Sequence, residues 1–221
     1  MSTDAYRVLR HEILYGTMMP GDRLRIADLN DRYRLGLTPI REALMRLASE
    51  GLVSWQSYRG ARVAGIDIEE FRDMARTRRQ IGRLCLTQAI ELGDAAWEAE
   101  IMRSFHLLKR TPFPSSSGVT ETPDNWVRFH REFHYALIAA CGSPWLLRFW
   151  ETLADHSERY RKLRLLRSDD GQPVDRDISR EHEQIMLAVI ARDTSAATVL
   201  LDRHLTQTEK AVARLLELDG K

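Results

Sequence analysis

Four histidines in the second half of the chain have the spacing to hold one metal ion. His130 and His134 lie four residues apart and so share one face of a helix, with Trp126, Phe133, Leu137, Ile138 and Cys141 on that face. His182 falls on a stripe with Ile185, Met186 and Val189, and His204 on one with Ala197, Leu201, Thr208, Ala211 and Leu215. The pattern predicts four imidazoles facing one helical core. A single inward histidine is ordinarily a hydrogen-bonded core residue. Four neutral imidazoles that converge without a cation leave ring nitrogens poorly satisfied, and a divalent ion resolves that problem.

Two histidines at this spacing also occur in zinc hydrolases, so a metal-dependent hydrolase is the alternative to a binding site. Those enzymes place a Glu directly after the first His, as general base on a metal-bound water, and Arg131 stands there. Glu132 lies about 200° round the helix from His130 and does not substitute for it. The chain has neither a Gly-x-Ser-x-Gly nucleophile motif nor a phosphate loop. The reading is therefore of a protein that is not an enzyme.

A second set of residues points to DNA. From Thr38 to Val53 the chain reads as a helix whose apolar stripe is Ile40, Ala43, Leu44 and Leu47, leaving Arg41 and Arg46 on other faces. Thr38 is positioned to cap it, Pro39 suits its first turn and Gly51 ends it. Upstream, Ile26, Leu29 and Tyr33 fit a short helix joined by a turn through Arg34–Leu37. Downstream, residues 52–56 and 61–63 have strand character around the turn-like Ser57-Tyr58-Arg59-Gly60. Helix, turn, helix and hairpin together describe a winged helix, with Thr38, Arg41, Arg46, Arg59 and Gly60 as candidate DNA contacts. Charge agrees with this: residues 1–66 hold ten Arg, no Lys and seven acidic side chains, a net of +3, against −2 for the rest. Arginine suits phosphate and guanine edges, although 29 Arg against 4 Lys overall shows that it is also this chain's general cation.

The elements that must position these residues form two domains in a mainly α protein. Residues 1–66 make a winged helix-turn-helix of three helices and a small β-hairpin. Residues 67–221 make an all-α antiparallel bundle, with helices expected near 69–92, 94–110, 124–141, 144–166, 179–191 and 194–217. With 43% hydrophobic and 29% charged residues the composition is that of an ordinary soluble protein. No membrane span or apolar signal core is present, so a cytoplasmic location is expected. Cys85 and Cys141 both sit in apolar helical stretches and read as buried, reduced thiols.

The N-terminal motifs carry a family resemblance. Ile13 through Leu24, with its Met19-Pro20-Gly21-Asp22-Arg23-Leu24, then Leu29, then Thr38-Pro39-Ile40-Arg41-Glu42-Ala43-Leu44 and Glu50-Gly51-Leu52-Val53, resembles the reading domain of GntR-type bacterial transcription regulators. Gly36-Leu37 replaces the polar and basic pair usual before Thr-Pro, and Ala27 replaces a frequent Arg. Phe129 through Leu146, with Glu181-His182 and Arg203-His204-Leu205, is similar to the FCD ligand-binding domain of the FadR-type branch. That resemblance implies a divalent metal held by an Asp and three His, with the Asp position falling on His130 here. A fourth His favours Zn or Ni, with Mn possible, over hard cations. It also implies an effector-binding Arg, which falls on Arg78, while Gly82 replaces the Glu usual four residues on. The function implied is a regulator, as a homodimer, that binds a pseudo-palindromic double-stranded operator under control of a small carboxylate. A constitutive DNA-binding dimer without effector is the further alternative.

Overall fold

The computed structural model describes residues 2–15, 17–56, 60–113, 123–167 and 176–219. The elements run α1 (Ser2–Leu14), β1 (Arg23–Leu24), α2 (Ile26–Tyr33), α3 (Leu37–Ser49), β2 (Val53–Gln56), β3 (Gly60–Val63), α4 (Ile68–Leu92), α5 (Ala95–Arg110), α6 (Pro123–Ile138), α7 (Pro144–Arg167), α8 (Ile178–Ile190) and α9 (Thr194–Asp219). By packing the chain divides into two units, Met1–Asp67 with Glu158–Lys162, and Ile68–Ser157 with Leu163–Lys221.

In the first unit α3 buries the stripe its spacing predicts, Ile40, Ala43, Leu44 and Leu47, against Ala5, Leu9 and Leu14 of α1 and against Leu29 of α2. Each leucine so buried contributes roughly 1.5–3 kcal/mol. The start of α3 differs from expectation. Thr38 does not cap it; the N-cap is Gly36, at φ 88°, with no side-chain cap, and Gly36 C=O accepts the first helical bond from Ile40 N. Instead the turn is closed from α2, where Asn30 Oδ1 accepts from Gly36 N at 2.8 Å. Thr38 and Pro39 thus fall inside the first turn, where Pro39's missing N–H leaves no helical bond unmade. At the other end Gly51 is left-handed at φ 73°, and Leu52 N reaches Leu47 C=O at 2.9 Å.

The hairpin carries a third strand that its two-residue length hides from any period-2 pattern. The sheet order is β1-β3-β2, all antiparallel, with Leu24 opposite Ala61, Val53 opposite Val63 and Trp55 opposite Ala61. Leu24, Val53, Ala61 and Val63 face the core. Ser57, Tyr58 and Arg59 lie outside the described residues, so the candidate Arg59 does too.

Among its described residues the second unit has helices and no strand. Its core gathers Cys85, Leu86 and Ala89 from α4, Ile101 and Phe105 from α5, Phe133 and Leu137 from α6, Trp150 from α7, Ile185 and Val189 from α8, and Ala197 and Leu201 from α9. Asp94 and Asp177 cap α5 and α8, accepting from Trp97 N and Arg180 N. Helix α6 ends at Ile138, three residues before its expected end, with Cys141 buried in the turn that follows. Both cysteines are free thiols. Burial, with Cys141 adjacent, pushes the Cys85 thiol up to about 12 and keeps it protonated. No helix among the described residues is long and apolar enough to cross a membrane.

Candidate functional site

Helices α6, α8 and α9 each turn an apolar stripe inward, and each stripe carries histidine. The four imidazoles converge: His130, His134, His182 and His204 are all buried, and one ring nitrogen from each lies within 4.8 Å of the others. His130 Nε2 and His134 Nε2 are 3.2 Å apart, and the rings of His182 and His204 are 4.6 Å apart between centroids. Trp126, one turn before His130, stacks on its ring at 4.6 Å and 22°. Phe133 meets the edges of His134 and His182. These ring contacts hold the imidazole planes.

A polar shell that spacing did not reveal sets the state of His204. Its Nδ1 donates to Glu181 Oε2 at 2.8 Å, which leaves Nε2 as the lone-pair nitrogen. Arg176 grips the same carboxylate with two bonds, Nε to Oε1 at 2.6 Å and Nη2 to Oε2 at 2.5 Å, and also donates to Thr208 Oγ1 and His204 C=O. Burial alone raises the Glu181 carboxyl, but the bonds from His204 and Arg176 outweigh it and bring the pKa down to about 2. Burial, against the pull of Glu181 and helped by Arg176 and Arg78, lowers His204 below its ordinary 6.5. Neutral His204 is the form that can ligate a metal. The donor set therefore fits a borderline divalent cation: four imidazoles, one of them oriented by a carboxylate.

Beside the cluster opens a cavity of about 570 Å³ whose lining includes Phe105, Leu108, Phe113, Trp126, Arg176 and His182. Arg78 does not line it. Its Nη1 donates to Ser157 Oγ at 3.0 Å and its guanidinium lies 5.7 Å from the Trp150 ring. Ser157 and Trp150, both on α7, are thus the partners that orient Arg78. Trp150 lies against Gly82, 3.7 Å from where a Cβ would be, so α7 supplies the orientation that a Glu at 82 would have given. Neither residue after His130 is placed for hydrolytic chemistry: Arg131 pairs with Asp155, and Glu132 lies 3.9 Å from both Arg103 and Arg128.

In the first unit Thr38 and Arg41 are on the exposed face of α3. Arg46 shares the helix but is engaged within the unit, its guanidinium 3.7 Å over the Tyr6 ring and its Nε 3.3 Å from Glu50. Gly60 opens β3 opposite Gln56.

A winged helix that exposes an arginine-bearing helix, carried on one chain with a bundle that holds a buried imidazole cluster and a cavity, defines a class: transcription regulators with a separate sensing domain. Residues 1–63 match the model of the bacterial regulatory proteins, gntR family, and residues 73–207 match the FCD domain. The chain is 36% identical over 204 residues to the HTH-type transcriptional repressor GlaR of Escherichia coli (strain K12), covering 92% of each. It is 34% identical over 207 residues to the uncharacterized HTH-type transcriptional regulator BphR of Paraburkholderia xenovorans (strain LB400), covering 94% of this chain and 83% of that one. Among solved structures E. coli McbR/YncC shares the fold, with a TM-score of 0.81 at 19% identity over 97% of this chain and 98% of that one. The chain belongs to the GntR family of bacterial transcription regulators and carries an FCD domain. As a member of that family it is a regulator rather than a hydrolase.

Proposed function

We propose that residues 1–66 read operator DNA and that residues 67–221 bind a divalent metal and a small carboxylate that control the reading. The observation that carries this is the convergence of four buried imidazoles, with His204 held neutral and oriented by Glu181. A bound divalent ion would supply a Lewis-acidic anchor for one carboxylate oxygen. Because all four ligands are neutral, the site keeps its full positive charge, which favours an anionic effector over a neutral one. Zn is the first candidate, with Ni or Mn possible.

The cavity supports the same reading. Phe105, Phe113 and Trp126 offer apolar walls for the effector's tail, and His182 brings the wall to the cluster. Arg78, close enough to His204 to depress its pKa, adds positive charge to the region. Thr38 and Arg41 are the base-reading candidates of α3, and Arg59 and Gly60 are the candidates of the wing. Arg46, stacked on Tyr6 with its side chain 60% exposed, is the third contact candidate on α3. A homodimer matches its two-fold axis to a pseudo-palindromic operator, and the effector alters affinity by binding the two arrangements of the dimer unequally.

The test is metal analysis of the purified chain with a thermal-shift screen of small carboxylates, before and after chelation. Chelation is expected to lower the melting temperature, and His134→Ala to lose metal and most of that chelator effect, since three ligands bind far more weakly than four. If stripped protein reloaded with Zn, Ni or Mn shows neither bound metal nor a thermal shift, the cluster is a hydrogen-bonded polar core and the mechanism fails.

A further inference from the structure

The exposed face of α3 is unusual for a helix meant to meet a polyanion. Among its large side chains, Leu37 is 57% exposed and Met45 is 60% exposed, although a full apolar stripe of the same helix is already buried. With 100° per residue, Leu37, Arg41 and Met45 stand at i, i+4 and i+8 and fall within an arc of about 80°. Thr38 lies just beside them. At 1.5 Å of rise per residue the three span about 12 Å along the axis, with Arg41 in the middle. The arrangement is one cation flanked on the same ridge by two apolar side chains.

That ridge is continuous with the face that carries Thr38 and Arg41, and exposed Arg23, Arg25 and Arg34 lie elsewhere on the same unit. The inference rests on the reading above that this unit binds operator DNA, and Arg41, exposed in the middle of the ridge, is the cation that suits DNA as its occupant. Within the major groove the base edges present hydrogen-bonding groups with one apolar exception, the C5-methyl of thymine. An arginine in the middle of the ridge matches the O6 and N7 acceptors of a guanine.

We propose that Leu37 and Met45 read thymine C5-methyl groups on either side of a guanine bound by Arg41. The half-site is then a guanine with thymines on one strand or the other, within the three to four base steps that 12 Å of helix can reach at about 3.4 Å per step. This assigns a specificity role to two residues whose side chains carry no hydrogen-bond donor. Each methyl buried against an aliphatic side chain should change affinity about fourfold.

The experiment selects half-sites from a randomised duplex pool with the full-length protein, then replaces each thymine of the selected duplex by deoxyuridine, which removes only the methyl. Two of the replacements are expected to raise Kd about fourfold each. Leu37→Ala should abolish the penalty at one position and leave the other, and Met45→Ala should do the reverse. Both side chains are exposed, so neither variant threatens the fold. Unchanged Kd on every thymine-to-uridine replacement overturns the proposal, as does a penalty that persists in both variants or a selected half-site without thymine near the guanine. A variant whose main defect is loss of self-association, read by sedimentation, assigns the ridge to contact between copies and overturns it equally.

Discussion

Glu181→Gln isolates the charge that organises the imidazole cluster, because the amide keeps the shape and an acceptor for His204 Nδ1. What it removes is the anion opposite Arg176, whose side chain is only 11% exposed, with Glu181 itself 16% exposed. Lowering the carboxyl from 4.5 to about 2 corresponds to about 3 kcal/mol of stability at neutral pH, an order-of-magnitude figure from 1.36 kcal/mol per pKa unit. The sign follows from the direction of the shift. A carboxyl depressed in the folded state stabilises above its unfolded value of about 4.5, and the contribution is lost as pH falls from there toward 2. Chelated Glu181→Gln protein is therefore expected to be less stable than the chelated parent by about 2–3 kcal/mol in urea denaturation at pH 7. The gap should shrink to less than half by about pH 3. His204 acts in a higher window: its lowered folded pKa means that the unfolded chain takes up a proton first, so both proteins lose stability as pH drops below 6.5. In the presence of Zn the variant should also bind metal about 10- to 100-fold more weakly, read by competition with a chromophoric chelator. A gap that stays constant from pH 7 to pH 3, or one under about 0.5 kcal/mol at pH 7, would refute the argument that Glu181 is held as an anion by Arg176 and His204.

Arg41→Ala should cost about 1–3 kcal/mol in binding the selected duplex, with a much smaller loss on random DNA, measured by anisotropy at fixed salt. Equal losses on both would move Arg41 to the phosphate backbone. Gly93→Ala tests a close approach in the bundle: a Cβ at 93 would overlap the Trp97 ring, whose Nε1 donates to Ala136 C=O at 2.8 Å. The substitution should destabilise by about 1–3 kcal/mol through displacement of that ring, and a variant as stable as the parent would show that Trp97 can move freely.

What could be read from the sequence, and what could not, divides along the range of the interactions involved. His130 and His134 declared their inward direction because four residues bring a side chain back to the same helix face, and Phe133, Leu137 and Ile138 mark that face as buried. The stripe of α3 was legible for the same reason. Glu181 and Arg176 were not legible as a unit, since their role depends on His204, 23 residues beyond Glu181 and on another helix. No periodicity encodes which carboxylate will lie against which ring once α8 and α9 have packed. The start of α3 was misread through a similar gap. Thr38 has the chemistry of a cap, but Asn30, six residues before Gly36, already takes the Gly36 N–H, and the helix begins two residues earlier than the Thr-Pro pair suggests. Strand β1 is too short to carry a pattern and exists because Arg23 and Leu24 find Arg62 and Ala61 across the sheet. Leu37 shows the opposite case. It was legible as a departure from the family's polar pair, yet only its exposure on the same ridge as Arg41 and Met45 turns that departure into a feature with its own binding chemistry.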